Sequence, residues 1–208
     1  MGATNKTHKR KPPQQQRSEA MVERIVDAGS RVLLRDGYDA TSTNKIALEA
    51  EVSPGSLYYY FSDKDGVVGA VLDRFLKDLA AVVGSHGTLS RDLDRSTFLR
   101  SADGLLSYLE QNRRLLDVLV NEAPGLVGAE TRAAIEHRLQ DQMRLAFILL
   151  GSPLSGEELD ARCWLAAHLC LAIPVRYVLN APAIPRALVI DGLADQIHAL
   201  AGLDPRSP

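Results

Sequence analysis

The chain has 208 residues, of which 46% are hydrophobic, and its 24 basic and 26 acidic side chains leave a formal net charge of -2. This composition excludes a disordered chain and supplies a core for one domain, or for a small module fused to a larger one. The longest apolar run, 165–175, is interrupted by His168 and Pro174 and is shorter than the roughly 18 residues of a membrane span. We therefore expect no contact with a membrane.

The first 17 residues are basic, contain no acidic side chain, and include Pro12, Pro13 and three glutamines. They lack the apolar stretch of a secretory signal, so we expect the protein to be cytoplasmic. Their composition predicts a flexible basic arm over 1–17, which either keeps the protein soluble or contacts phosphates. Residues 1–64 hold ten basic and eight acidic side chains, whereas 65–208 hold fourteen and eighteen.

The first predicted helix begins at Ser18, because apolar residues then recur at steps of three and four. Gly37 ends it, since glycine adopts the left-handed conformation of a helix terminus at least cost. A second, short helix follows over 45–50, with three candidate N-caps. These caps are Thr41, Ser42 and Thr43.

The third predicted helix is also short and extends through 56–60. Ser53 can cap it, and Pro54 can occupy its first position, where the missing N–H costs nothing. Ser62 and Asp65 have the spacing of a capping box and predict the start of a fourth helix, which ends near 84–87. A tight turn therefore separates the second and third helices.

Five more helices are predicted in the rest of the chain, separated by proline and glycine. Their approximate ranges are 93–110, 112–122, 126–150, 156–180 and 186–202. No segment has the alternating pattern of a strand. The predicted fold class is therefore all-α, with about nine helices.

Two short helices joined by a turn, beside a basic arm, are typical of a helix-turn-helix that reads the major groove of DNA. Within 24–68 a dense set of residues has a familiar order: Gly37-Tyr38, Thr41, Ile46-Ala47, Ala50, Val52-Ser53, Gly55, Leu57-Tyr58, Tyr60-Phe61 and Lys64. This segment closely resembles the DNA-binding domain of the TetR family of transcriptional regulators. The resemblance covers about a quarter of the chain.

Several residues of this segment have hydroxyl, amide or ammonium groups that suit phosphates and base edges. The predicted DNA contacts are Thr43, Asn44, Ser53, Gly55, Ser56, Tyr58, Tyr59, Tyr60 and Lys64. The resemblance implies phosphate or sugar contacts for Tyr58, Tyr60 and Lys64, and base contacts for Asn44, Ser53, Gly55, Ser56 and Tyr59. Three successive helical residues span about 200°, so at least two of the three tyrosines are expected at the DNA.

Other residues of the segment are expected to form its core: Ile46, Ala47, Val52, Leu57 and Phe61. Glu51 occupies the turn position that glycine usually fills in the family. A non-glycine residue held in the left-handed conformation costs roughly 1–2 kcal/mol, so either the turn is built differently or the strain is tolerated.

The resemblance implies three parts, namely an arm (1–17), a DNA-binding domain (18–64) and a helical effector-binding and dimerisation domain (65–208). The helix 156–180 is apolar around most of its circumference, which favours burial against its own core and against a partner. Burial inside one subunit is the alternative. The predicted dimer interface is Leu159, Cys163, Ala166, Cys170, Ile173, Tyr177, Leu188, Leu193 and Ile197.

An effector pocket is harder to locate, because its candidate lining would equally form a plain core. The candidates are Phe75, Leu106, Tyr108, Leu109, Leu116, Leu119, Met143, Phe147 and Trp164. Glu122 and His137 could orient an effector, although His137 is better explained as a surface residue. Pro174 should kink its helix and so shape either a cavity wall or an interface. The two cysteines are expected to pack as small apolar side chains.

These observations predict a dimeric regulator, a repressor in the simplest case, that a small and mainly apolar effector releases from a palindromic operator in double-stranded DNA. An activator, an architectural DNA-binding protein without a ligand, and a small all-α enzyme are the alternatives. The sequence contains no GxGxxG, P-loop, HExxH or GxSxG motif and no zinc-ligand spacing. We therefore expect no catalytic activity, cofactor or metal.

Overall fold

The structure, a computed structural model, describes residues 13–86, 95–126 and 129–203. Within these ranges the chain forms nine α-helices and one π-helical segment, without a strand, so the predicted all-α fold class is confirmed. The helices are α1 Pro13–Asp36, α2 Thr43–Glu49, α3 Pro54–Tyr60, α4 Lys64–His86, α5 Arg95–Gln111, α6 Arg113–Asp117, α7 Ala129–Leu149, α8 Gly156–Asn180 and α9 Arg186–Leu200, with the π-helical segment Val118–Glu122 directly after α6.

The first helix starts earlier than predicted, at Pro13 rather than Ser18. Proline is favourable in a first helical turn, and the three glutamines that follow it are good helix formers. Residues 13–17 of the predicted arm are therefore helical, and the rest of the arm lies outside the described residues. The prediction of a flexible arm from the basic, proline-containing composition was therefore wrong for residues 13–17.

The chain divides into two compact units, the first ending at Val71 and the second starting at Leu72. The predicted boundary followed Lys64, at the start of α4. The observed one lies later because the first turns of α4 pack into the first unit, where Val67 and Val68 are fully buried. Helix α4 therefore contributes residues to both units.

A small core of short aliphatic side chains holds the first unit together. It consists of Ile25, Ala28, Val32, Ile46, Ala47, Ala50, Leu57 and Val67, with Met21, Val52, Tyr60 and Phe61 packed against it. The predicted core residues of the helix-turn-helix all belong to this set. Helices α1 and α4 approach closely at Gly29, where an added Cβ would lie 2.6 Å from Val67 Cγ1.

The helix ends of the first unit follow the predicted chemistry with one exception. Gly37 is left-handed, with φ of 81°, and Ser42 is the residue that caps α2. The predicted capping box from Ser62 to Asp65 is wrong, because Asp63 caps α4 and accepts from the Gly66 amide at 2.9 Å. That bond holds the pKa of Asp63 below its usual value.

The second unit is built from the rest of α4 and from the helices that follow it. Its core includes Phe147, Leu159, Cys163, Ala166, Ile197 and Ala201. Ion pairs join α5 to α9: Arg95 Nη2 lies 2.8 Å from Asp195 and 3.2 Å from Asp191. Helix α8 is long and apolar enough to cross a membrane by length and composition alone, and six of its residues are buried within this unit.

We predict that Gly29→Ala destabilises the first unit by about 1–3 kcal/mol, because the new methyl group would overlap Val67 and force α1 and α4 apart. Urea unfolding followed by circular dichroism measures this loss. Gly66→Ala is the matched control, since its Cβ would meet Phe61 only at an ordinary 3.5 Å. Equal stability of both variants would contradict the close approach at Gly29.

Candidate functional site

Helices α2 and α3 and the turn between them are fixed by hydrogen bonds at their termini. The Ser42 hydroxyl accepts from the Lys45 amide at 3.3 Å, and the Ser53 hydroxyl accepts from the Ser56 amide at 3.1 Å. Pro54 occupies the first turn of α3, as predicted. The N-terminus of α3 is therefore rigid, and its exposed side chains have defined positions.

Glu51 lies in the turn with φ of 53°, so the left-handed conformation that glycine would favour is retained by a glutamate. Arg24 of α1 contacts this residue twice, donating from Nη2 to the Glu51 carboxylate at 3.2 Å and to its carbonyl at 3.3 Å. The Glu51 side chain is 87% exposed, so the ion pair itself adds little stability. Of the two alternatives, the structure has the left-handed turn that glycine would favour, and the backbone strain at Glu51 is tolerated.

Four of the predicted DNA contacts at α2 and α3 are joined in pairs through their hydroxyl groups. The hydroxyls of Thr43 and Tyr58 are 3.0 Å apart, and those of Ser53 and Ser56 are 2.8 Å apart. Asn44 and Gly55 are exposed. Hydroxyl groups held in pairs keep lone pairs and protons available to a ligand, so these residues suit polar recognition.

The three successive tyrosines of α3 have different environments. Tyr58 is 52% exposed and Tyr59 is 81% exposed. Tyr60 packs against the core of the first unit and makes an edge-to-face contact with Tyr59, with ring centroids 4.9 Å apart. Two tyrosines are thus free to meet a ligand, whereas Tyr60 is in part a structural residue, contrary to a purely DNA-contacting role.

Lys64, the other predicted phosphate contact, is held within the first unit. Its ammonium group donates to the Tyr38 carbonyl at 3.0 Å and lies 4.2 Å from the centroid of the Tyr38 ring. The Tyr38 hydroxyl in turn donates to Asp65 at 2.9 Å, which raises the pKa of Tyr38. These contacts join the start of α4 to the loop after α1, so Lys64 has a structural role in addition to its positive charge.

Three arginines, Arg24, Arg31 and Arg35, lie on one face of α1, because their spacings of seven and four residues return to the same side of a helix. All three bind glutamates at the end of α2. Arg31 Nε is 2.7 Å and Arg35 Nη1 is 3.1 Å from Glu49, whose pKa they hold below its usual value. The two glutamates therefore offset two of the three positive charges on this face of α1.

The second unit contains a cavity of about 150 Å³ among α4, α5, α7, α8 and α9. Most of its lining is aliphatic or aromatic, with four polar side chains. The apolar lining includes Leu76, Phe98, Leu105, Leu139, Met143 and Ile197, and the polar residues are Thr97, Ser101, Arg138 and Gln142. Such a cavity suits a small, mainly apolar molecule.

Of the nine predicted pocket residues, Leu109 and Met143 line this cavity. Phe75, Leu106, Leu116 and Phe147 are buried core residues, and Trp164 is 50% exposed. Leu119 is half-buried, and Tyr108 stacks on Phe75 and donates to its carbonyl at 3.0 Å. The predicted residues were mostly large apolar side chains, and several of these fill the core and do not border the cavity.

The cavity-facing side of α7 is the signal that the sequence analysis missed. Ile135, Leu139, Gln142, Ala146 and Leu149 all line the cavity, and their spacing of four, three, four and three residues places them on one face of the helix. Gln142 is the polar member of this otherwise apolar stripe. The predicted orienting residues Glu122 and His137 do not line the cavity.

The predicted dimer interface needs a correction, because most of its residues lie inside the second unit. Leu159, Cys163, Ala166, Leu193 and Ile197 are at most 8% exposed, and Cys170 lines the cavity. Tyr177 is half-buried and donates to the Ile184 carbonyl. Since α8 is apolar on nearly all sides, its pattern did not reveal which side faces the core.

Helix α8 also carries three large apolar side chains that are exposed. They are Trp164, Leu165 and Ile173, which are 50%, 44% and 40% exposed and are spread over about half of the helix circumference. Leu188 of α9, at 63%, is exposed as well, so Ile173 and Leu188 are the members of the predicted interface that remain accessible. Trp164 and His168 stack with ring centroids 4.0 Å apart. We call Trp164, Leu165, Ile173 and Leu188 the exposed apolar surface.

The described residues contain no group of three or more His, Cys, Asp or Glu side chains that could hold a metal ion.

Residues 25–71 match the model of the family described as "Bacterial regulatory proteins, tetR family". The chain is 31% identical over 100 residues to the uncharacterized HTH-type transcriptional regulator YvkB of Bacillus subtilis, covering 48% of this chain and 50% of that protein. It is 36% identical over 61 residues to the HTH-type transcriptional repressor DhaR of Mycobacterium sp., covering 29% and 31% of the two chains.

The alignments thus span half or less of these relatives. A crystal structure of a tetR-family transcriptional regulator from Streptomyces coelicolor superimposes with a TM-score of 0.69 at 20% identity, over 88% of this chain and 80% of that one. At this identity the superposition establishes a shared fold, which extends well beyond the 47 residues of the family match.

We predict that Glu51→Gly raises the melting temperature, because glycine adopts the left-handed turn without the strain of roughly 1–2 kcal/mol that a side chain incurs. Glu51→Gln is the matched control: it removes the charge, retains the strain and should not raise the melting temperature. Both variants should bind non-specific duplex DNA more tightly, because a carboxylate that repels phosphate is removed. An equal thermal gain in both would assign the effect to charge instead of backbone conformation.

We predict that both cysteines resist alkylation by iodoacetamide in the folded protein at about pH 8 and react once it is unfolded in urea. Burial raises the pKa of Cys163, and it raises that of Cys170 to about 12, so little thiolate forms. Mass spectrometry of the alkylated peptides measures both rates. Rapid native labelling of Cys170 would show that the cavity wall opens readily to water.

Proposed function

We propose that this protein, which belongs to the TetR family through its N-terminal residues 25–71, binds a palindromic operator as a homodimer, represses transcription and is released by a small, mainly apolar effector. The observation that carries this proposal is the capped helix-turn-helix with its exposed tyrosines and paired hydroxyls. The relatives and the shared fold are those of transcriptional regulators. We place the protein in the cytoplasm and assign it no catalytic role.

The first step of this function is recognition of DNA by α3. A helix-turn-helix places its second helix in the major groove, where the first residues of that helix meet base edges. Here those residues are Ser53, Gly55 and Ser56, with Tyr59 next along the exposed side. Tyr58 and Thr43, joined through their hydroxyls, are suited to a phosphate or sugar.

Homodimerisation is the second step, and the exposed apolar surface is our proposed interface. Large apolar side chains exposed on α8 and α9 cost free energy in water and favour burial against a second copy. Two recognition helices related by a two-fold axis would then enter successive major grooves about 34–36 Å apart. The operator is accordingly expected to be palindromic.

Release by an effector is the third step. Helix α4 contributes Val67 to the core of the first unit and Leu76 and Leu79 to the cavity of the second. A ligand that fits one arrangement of the cavity better than another would favour one position of α4, and its differential affinity would drive the switch. DhaR is named a repressor, and steric block of transcription is the simplest outcome of operator binding.

The deciding experiment is selection of a random duplex DNA library by the wild-type protein and by Tyr59→Ala. The wild type should enrich one palindrome, and raising the salt should weaken binding steeply because several phosphates are contacted. Tyr59→Ala should lose this enrichment. Leu48→Ala is the matched control, because Leu48 is 80% exposed on α2 and is not among the predicted contacts.

Two results would contradict the proposal. If the wild type enriches no sequence, the helix-turn-helix does not act as an operator-binding element. If Tyr59→Ala enriches the same palindrome with the same affinity, α3 does not read DNA through its exposed face. Analytical ultracentrifugation of Ile173→Glu tests the dimer separately, since a charge in the exposed apolar surface should produce monomers.

A further inference from the structure

One buried polar atom in the cavity of the second unit has no partner. The side-chain oxygen Oε1 of Gln142 is buried and accepts no hydrogen bond from the described residues. Gln142 lines the cavity from the middle of the apolar stripe on α7. Buried polar groups are nearly always hydrogen-bonded in folded proteins, so the unpaired oxygen of this cavity-lining residue favours rotation of the Gln142 side chain toward a ligand that donates to it.

The other polar groups of the cavity are already engaged or lie toward solvent. The Ser101 hydroxyl donates to the Thr97 carbonyl at 2.9 Å, and the Thr97 hydroxyl accepts from Arg100 at 2.9 Å. Among the described residues, Arg138 is the one charged residue that lines the cavity, and it is exposed. An exposed guanidinium stays hydrated, so the cavity interior offers no buried positive charge to an anion.

The rest of the lining is unsuited to a charged ligand. Phe98, Leu105, Leu139 and Met143 give the interior an apolar surface, and burial of an unpaired charge in such surroundings is strongly unfavourable. The Cys170 thiol in the wall stays protonated, because burial raises its pKa to about 12. It therefore supplies neither a charge nor a reactive thiolate.

We propose that the cavity binds a neutral, mainly apolar molecule with one hydroxyl or N–H group, and that this group hydrogen-bonds to the side-chain carboxamide of Gln142. Gln142 is then the residue that determines which chemical class of ligand is accepted. The assignment rests on the proposed function only in taking this molecule to be the effector. The volume of about 150 Å³ is suited to a single substituted aromatic ring.

Three para-substituted toluenes of similar size test the proposal. p-Cresol carries a hydroxyl, p-xylene replaces it by a methyl group, and p-toluate replaces it by a carboxylate. Their dissociation constants are measured by protein-observed NMR titration for the wild type, for Gln142→Leu and for Gln140→Leu. Gln140→Leu is the matched control, because it makes the same change on α7 at a residue outside the cavity lining.

Gln142→Leu is expected to weaken p-cresol relative to p-xylene by about tenfold, the usual effect of one buried hydrogen bond. Gln140→Leu should leave the ratio of the two affinities unchanged, and p-toluate should bind the wild type more weakly than p-cresol. Retained p-xylene binding by Gln142→Leu shows that this variant is folded. Dispersed chemical shifts in the NMR spectrum of Gln142→Leu are a second check that the variant is folded.

Three outcomes would overturn the proposal: an unchanged affinity ratio in Gln142→Leu, tighter binding of p-toluate than of p-cresol, or failure of all three probes to bind the wild type. None of these measurements involves DNA. If the protein enriches an operator but binds none of the probes, the ligand assignment is wrong and the proposed regulator stands. Probe binding without operator selection would remove the regulator and leave the ligand site.

Discussion

Helix α4 can lie against α1 because Gly29 has no side chain. An added Cβ would come within 2.6 Å of Val67, so the distance between these two helices depends on one missing methyl group. Ile46 of α2 and Leu57 of α3 pack into the same small core and take their positions from it. The exposed tyrosines belong to a helix that is anchored in this same core through Leu57.

The same helix contributes residues to both units. At its start, Lys64 is bound to the carbonyl and ring of Tyr38, and farther along Leu76 and Leu79 form part of the cavity wall. Under the proposed function, coupling between ligand and DNA would require that the ligand favour one position of α4 over another.

Periodicity predicted the helices well, since the range 156–180 coincides with α8 and the left-handed Gly37 follows α1. The Ser53 cap of α3 was also evident in the sequence, whereas the backbone conformation at Glu51 was left open between two alternatives. The side of α8 that faces the core could not be predicted, because a helix that is apolar on nearly all sides has no pattern that distinguishes the buried side. The cavity was missed for a related reason: large side chains mark filled space, and the informative residue was the polar Gln142.

The cavity also connects ligand concentration to protein stability. A molecule that binds only the folded second unit stabilises it by RT ln(1 + [L]/Kd), about 2.7 kcal/mol at a ligand concentration of 100 Kd. That gain lowers the population of unfolded chains on which cellular proteases act. If the ligand releases DNA as proposed, it would lengthen the lifetime of the protein and reduce its affinity for DNA at the same time. Cells rich in ligand would hold a larger reserve of the regulator, ready to return to the operator as soon as the ligand is consumed.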